Sequence, residues 1–521
     1  MPAKILVLGL DAAEATLIER WAAEGTLTTF AALAKRAAVF RLDTPLETLP
    51  EGIWHELHTG LSAGKIGRYY VTNQIHNGEA KPRPVTAAEI DPEEFFWTQA
   101  GRAGHRIAAL DMVHTVPAEN LNGLQLFEWG LHDRHFSTMS EPPELLAEIT
   151  QRHGAHPIGS CDDHGATPEG YQSLLDGLTR SVEAKRDIYC DLLGRESWDL
   201  FAATFAESHC VGHQFWHFLD PGHPRHDPAA PAEFADAVKQ IYARLDQALG
   251  AVIEAAGEET VVLVVASHGM GLYVGGYQLL PEVLLRLGLG PAGAQAERGH
   301  KTKARALYHA LRGRYGFITG GKRPFSKSSL GRRVRAYFGT PISALDSPDT
   351  KATAALNNRV GAIRLNLKGR EPNGQVAPGN EAGDLIGELR QELMSLEHPE
   401  LGEPIVDRVL TAQEAFGADR HPDVPDLMVV FRTDLGQLEA CRSDRVGLIR
   451  RPLFSPHKPR TGDHTTESRL WIAGPGVPAQ SGRARAVDLS PTVLRLLGVT
   501  PPEGIDGRAI DCLHALYADN R

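Results

Sequence analysis

Ile5-Leu6-Val7-Leu8-Gly9-Leu10-Asp11 sets the fold: six apolar residues in a row, closed by a carboxylate. A continuous apolar run bounded by polar residues suits a strand that is covered on both faces. It is too short to cross a bilayer, which takes about 20 such residues, and too short for the apolar region of a leader. Working outward, similar runs recur at Arg106 to Leu110, Leu200 to Phe205, Val261 to Ala266, Ala362 to Leu367, Leu427 to Phe431 and Leu470 to Ile472. Between them, Glu14 to Arg36, Pro143 to His153, Gly170 to Leu193 and Pro231 to Ala256 space their apolar residues by three and four, as amphipathic helices do. Strand and helix alternate, so the predicted class is α/β, with a mainly parallel central sheet and helices on both faces. Ligands collect at the carboxyl ends of such strands. That rule places Asp11, Glu207 to His213, Ser267-His268 and the segment before Leu470 on one rim.

Composition narrows the partners. A formal net charge of −11 over 521 residues argues against nucleic acid as a stable partner, because phosphate binding needs a basic face. The five cysteines are scattered and form no CxxC pair, which reads as reduced thiols in a cytoplasmic protein. No apolar stretch is long enough for a membrane span. One α/β domain over 1–521 is expected, with two stretches outside its rhythm. Residues 68–97 are polar and proline-bearing, a loop or small cap. Residues 290–350 are basic, with twelve lysines or arginines between Arg298 and Arg335. That run reads either as a solvated face or as an electropositive lid for a small anionic substrate.

The chemistry-bearing residues follow the strand ends. In Glu207-Ser208-His209-Cys210-Val211-Gly212-His213, two histidines four apart lie on one face of a helical turn, where both imidazoles can share a zinc-type ion. A histidine-rich surface helix is the plain alternative. Asp11 at a strand tip suits a metal ligand or a base, and equally an N-cap. Ser267-His268 and Gly462-Asp463-His464 add histidines at two further strand ends. Each is weak alone; together they favour a metal site with Asp11, His209, His213, His268 and His464 as ligands.

The order of these motifs resembles the alkaline phosphatase superfamily, in its type I phosphodiesterase and nucleotide pyrophosphatase-like branch. The matching pieces are Leu8-Gly9-Leu10-Asp11, Trp54 through Thr59-Gly60, Glu207 through Trp216, Ser267 through Gly271, Gly462-Asp463-His464 and Gly474-Pro475-Gly476. The resemblance implies a phosphoric-ester hydrolase in which one or two divalent transition ions, zinc above all, clamp a phosphoryl group while a Ser or Thr attacks it. Carried over, His209, His213 and His464 would hold one ion, and Asp11, Ser267 and His268 the other. The family usually has Asp at the positions of His209 and Ser267. Losing both carboxylates suits the first site to a single zinc and weakens the second.

The nucleophile is also displaced. Counting back from Thr59-Gly60 reaches Pro50, leaving Thr48 as nucleophile or Glu51 as carboxylate ligand or general base, with Glu51 preferred. Both residues are also ordinary helix-capping candidates. The leading expectation is hydrolysis of a phosphate ester, phosphodiester or related anionic ester. The alternatives are a mononuclear hydrolase or lyase without a Ser/Thr nucleophile, and a metal-binding scaffold without activity.

Overall fold

The opening run lies at the centre of a nine-stranded sheet. The structure, a computed structural model, describes residues 4–43, 51–70, 74–76, 78–79, 82–131, 135–164, 166–290, 345, 349–356, 359–451 and 460–518. In chain order the strands are β1 (Lys4–Leu10), β2 (Ala38–Asp43), β3 (Ile107–Leu110), β4 (Gly123–Phe127), β5 (Met139–Glu141), β6 (Leu200–Phe205), β7 (Thr260–Ala266) and β8 (Gly269–Leu272). There follow β9 (Ala352–Leu356), β10 (Gly361–Leu365), β11 (Val406–Thr411), β12 (Leu427–Phe431), β13 (Ala440–Cys441), β14 (Ile449–Arg450), β15 (Gly462–Thr465), β16 (Arg469–Ala473) and β17 (Gln480–Arg485). The large sheet runs β17-β2-β16-β7-β1-β6-β3-β4-β5.

Strand β1 pairs in parallel with β6 and β7, and β3 in parallel with β4 and β6. Successive residues of β1 enter different cores. Leu6, Leu8 and Leu10 pack with the helices Pro168–Arg195, Glu207–Leu219 and Ala237–Ala256, while Ile5 and Val7 pack with Ile53, Trp54, Leu57 and the helix Leu489–Leu496. Burial of both faces is what the unbroken apolar run reports. Each such buried side chain contributes roughly 1.5–3 kcal/mol relative to leaving it exposed. The class is α/β, as expected.

Three of the predicted parallel strands are not parallel. Leu470 to Ile472 falls within β16, which runs antiparallel between β7 and β2. The runs near Ala362 and Leu427 leave the large sheet altogether. They form β10 and β12 of a separate antiparallel sheet, ordered β11-β12-β10-β9. The reason is that this sheet too is covered on both faces. Ile363, Leu365, Leu427, Val429 and Phe431 pack against Leu280, Val283, Leu389 and Leu393, whereas Ala362, Met428 and Val430 pack against Tyr69, Tyr70 and Phe416. Apolar runs in the two kinds of sheet therefore look alike.

The helix expected over Glu14 to Arg36 is two helices, Ala15–Ala23 and Thr28–Arg36, broken at Gly25, whose φ of +81 belongs to the left-handed region. Within 68–97 the described residues form an isolated bridge between Gln74 and Arg83 and two short 3-10 turns, ahead of the helix Phe96–Arg102. Most of the basic segment within 290–350 lies outside the described residues. No helix among the described residues is long and apolar enough to cross a membrane.

Candidate metal centre

The rim above β1, β6 and β7 gathers residues that lie far apart in sequence. Asp11 follows β1; its backbone carbonyl accepts from the Ser208 hydroxyl at 2.6 Å, which ties the strand tip to the first turn of the helix Glu207–Leu219. His209 and His213 project from one face of that helix. His464 arrives on β15, which pairs antiparallel with β8 so that His464 sits opposite Met270. Glu14 fastens this pair to the start of the chain: one carboxylate oxygen accepts from the Met270 amide at 3.0 Å and from the Thr465 hydroxyl at 2.9 Å.

The three imidazoles turn their Nε2 atoms to a common point. His209 Nε2 is 2.7 Å from His213 Nε2 and 3.0 Å from His464 Nε2, and all three side chains are buried. Their outward nitrogens explain this arrangement. His209 Nδ1 lies 2.6 Å from Asp11 Oδ2, and His213 Nδ1 lies 2.7 Å from the Gly462 carbonyl. An ionised carboxylate and a carbonyl only accept, so both Nδ1 atoms carry the proton and neutral rings present bare lone pairs at Nε2. The His464 Nδ1 lies 3.6 Å from Asp463 Oδ1. Lone pairs packed this closely repel one another unless a cation sits between them. The donor set therefore fits a soft-to-borderline divalent ion such as zinc, held by neutral imidazole and oriented through the far ring nitrogens.

Of the other predicted residues, Asp11 and His268 lie beside this triad. His268 is fully buried; its ring centroid is 4.8 Å from that of His464 and 6.2 Å from that of His209. His268 Nδ1 is 3.0 Å from the Ser267 hydroxyl, and its Nε2 has no hydrogen-bond partner. Burial pushes this imidazole down to about 4, against the pull of Asp11. Burial also raises the Asp11 carboxyl, but His209, the bond from Trp54 Nε1 at 2.9 Å and the nearby His268 outweigh it and hold the group below the usual carboxylate range. Thr48 lies outside the described residues. Glu51 opens the helix Glu51–Thr59, and only its backbone is described. His217 bonds Thr461 Oγ1 through Nδ1 at 3.1 Å and stands apart from the triad.

Sequence reasoning missed several supports. Trp54, Ser208 and the Gly462 carbonyl orient the centre, yet none is a residue type that announces a ligand, and the Glu14 carboxylate reads in sequence only as the start of a helix. Beneath the helix, Lys185 is fully buried, with its ammonium 3.4 Å from Glu207 and 3.8 Å from Asp111. Asp111 in turn accepts from the amides of Trp129 and Gly130, each at 2.9 Å. The Trp129 turn is thus part of the buried support.

The type I phosphodiesterase / nucleotide pyrophosphatase family matches the chain over residues 5–288. The chain belongs to that family. Its fold is that of the alkaline phosphatase superfamily. Wild-type alkaline phosphatase PafA aligns with a TM-score of 0.52 at 13% identity, covering 98% of each chain. Murine ectonucleotide pyrophosphatase / phosphodiesterase 5 aligns at 0.47 and 12% identity over 96% of each chain. Phosphonoacetate hydrolase from Sinorhizobium meliloti 1021, in complex with phosphonoformate, aligns at 0.48 and 12% over 95% of this chain and 96% of its own. No curated protein matches the sequence.

Proposed function

We propose that this protein hydrolyses a small anionic phosphate ester or phosphodiester at a divalent transition-metal centre, with zinc the ion its donors suit best. The observation that carries the proposal is the convergence of three buried Nε2 atoms, those of His213 and His464 within 3.0 Å of that of His209, with His209 and His213 fixed in the ligating tautomer from behind. Family membership supplies the reaction class. An ion held by His209, His213 and His464 supplies Lewis acidity toward a phosphoryl oxygen.

The chain's own residues do the rest. Asp11 and the Gly462 carbonyl hold two of the rings. His268, buried and unpartnered at Nε2, would accept a hydrogen bond there from a protonated substrate oxygen or the attacking group. Glu51 is favoured for activating the attacking group, with Thr48 as the alternative nucleophile. A panel of chromogenic phosphate mono- and diesters tests the reading: chelation should abolish turnover, zinc or cobalt should restore it, and His213→Ala should remove both metal and activity. Full activity in metal-free protein would sink it. Loss of turnover in Thr48→Ala but not in Glu51→Gln would move the attacking role to Thr48.

A further inference from the structure

The groups beside the triad are engaged with one another. Asp11 Oδ2 meets His209 Nδ1 at 2.6 Å and Oδ1 accepts from Trp54 Nε1 at 2.9 Å, so each oxygen already faces an N–H donor fixed on a different helix. The Ser267 hydroxyl is closed in as well, 3.3 Å from the Leu10 carbonyl, 3.4 Å from the Ala12 amide and 3.0 Å from His268 Nδ1. The two carboxylates that touch the triad, Asp11 and Asp463, both lie at outward Nδ1 atoms rather than at the converging Nε2 atoms. Asp463 also has Arg359 within 3.9 Å of its other oxygen. Among the described side chains no carboxylate is left to neutralise a second buried dication, a heavy desolvation cost.

Resting on the phosphoesterase reading above, we infer that the centre is mononuclear and that Asp11 is the positioning carboxylate of His209, not the ligand of a second ion. The His209 Nδ1–H stands where Asp11 would otherwise meet that ion. The substitution of Asp by His at 209 and of Asp by Ser at 267 are then one change: the imidazole that completes the first site closes the second. Carboxylates behind metal-bound histidines fix the ring and its tautomer, and losing one weakens metal binding by roughly 10–100-fold.

Metal analysis of the full chain after equilibration with excess zinc decides the matter. One equivalent is expected. Asp11→Asn should keep that equivalent but weaken zinc binding by about tenfold, and Asp11→Ala by up to about 100-fold, as a lost outer partner does. The visible spectrum of the cobalt-substituted Asp11→Asn protein should keep the wild-type band positions, because the three nitrogens at the ion are unchanged. The double substitution H209D/S267D should gain a second equivalent. Two equivalents in the wild type, an equivalent lost in Asp11→Asn, or unchanged affinity in both Asp11 variants would each overturn the inference while leaving the phosphoesterase reading standing. A wild-type chain that binds no zinc would instead defeat that reading itself. Melting of the metal-free variants separates misfolding from loss of the ligand's support.

Discussion

Gly462→Ala should dismantle the metal centre without touching a ligand. A Cβ built on Gly462 would fall inside the contact distance of the Gly212 carbonyl oxygen, 2.9 Å from the Gly212 carbonyl carbon and 3.2 Å from Met270 Sδ. Non-bonded carbons rest at about 3.5–4.0 Å, so β15 must retreat from the helix Glu207–Leu219 by roughly 1 Å. The obstacle is backbone, which cannot rotate away as a side chain can. That retreat acts twice on the site. It draws the Gly462 carbonyl away from His213 Nδ1, now at 2.7 Å, and it carries His464 away from its 3.0 Å approach to His209. Metal–ligand distances tolerate only about ±0.2 Å. Zinc affinity should therefore fall at least 10–100-fold, about 1.4–2.7 kcal/mol, on top of an overpacking cost of about 1–3 kcal/mol in fold stability. Competition against a chromogenic zinc chelator reads the first, and urea unfolding of the metal-free protein reads the second. Gly383→Ala is the control, since a Cβ there meets nothing within 4 Å in the helix Asn380–Met394. It should be neutral or stabilising. A Gly462→Ala protein that binds zinc as tightly as the wild type would refute the claim that close packing of β15 on the helix sets the triad.

Two further predictions concern the scaffold. The helix Thr28–Arg36 has no side-chain cap of its own; Asp246, reaching from the helix Ala237–Ala256, accepts from the amides of Thr29 at 3.0 Å and Phe30 at 2.9 Å. Asp246→Ala leaves one buried and one half-buried amide unpaired and should cost about 2 kcal/mol in chemical denaturation, with Asp246→Asn recovering part of it; a loss under about 0.5 kcal/mol would contradict the capping role. Glu56 is buried and its carboxyl is pushed up to about 7 from an ordinary 4.5, first by burial and further by Asp506. The folded chain then holds that proton more tightly than the unfolded chain, so this residue's contribution is fullest below about pH 4.5 and is lost as pH rises to about 7, a change on the order of 3 kcal/mol. Glu56→Gln should flatten that dependence, gaining on the wild type in Tm between pH 5 and pH 8. A difference in Tm that stays constant with pH would show that Glu56 is ionised throughout.

How much of this fold can be read in the chain depends on what an apolar run encodes. Such a run reports that both faces are covered, and β1, β6 and β7 were legible for that reason. It does not report strand direction. Leu427 to Phe431 carries the same signal as Val261 to Ala266, yet it sits in the antiparallel sheet, because Leu280, Leu389 and Phe416 cover its two faces just as helices cover the parallel one. Direction is decided by the connections, and those pass through segments with no periodic pattern. The break at Gly25 is a different failure. Apolar spacing runs on across it, and only the left-handed conformation at one residue separates the two helices.

The site shows the same division at the level of single atoms. That His209 and His213 share a helix face follows from a spacing of four, and the strand-end rule brings Asp11 and His464 to the same rim. What spacing cannot give is which nitrogen of each imidazole faces inward. That choice is made by the group at the other nitrogen: Asp11, 198 positions from His209, and the Gly462 carbonyl, 249 positions from His213. A backbone carbonyl has no residue type, so no motif can encode it. An aspartate at a strand tip serves equally as a ligand or as the partner of one. The role of Asp11 turns on 2.6 Å between two side chains, and so the number of ions this centre holds is a property of its packing rather than of its motifs.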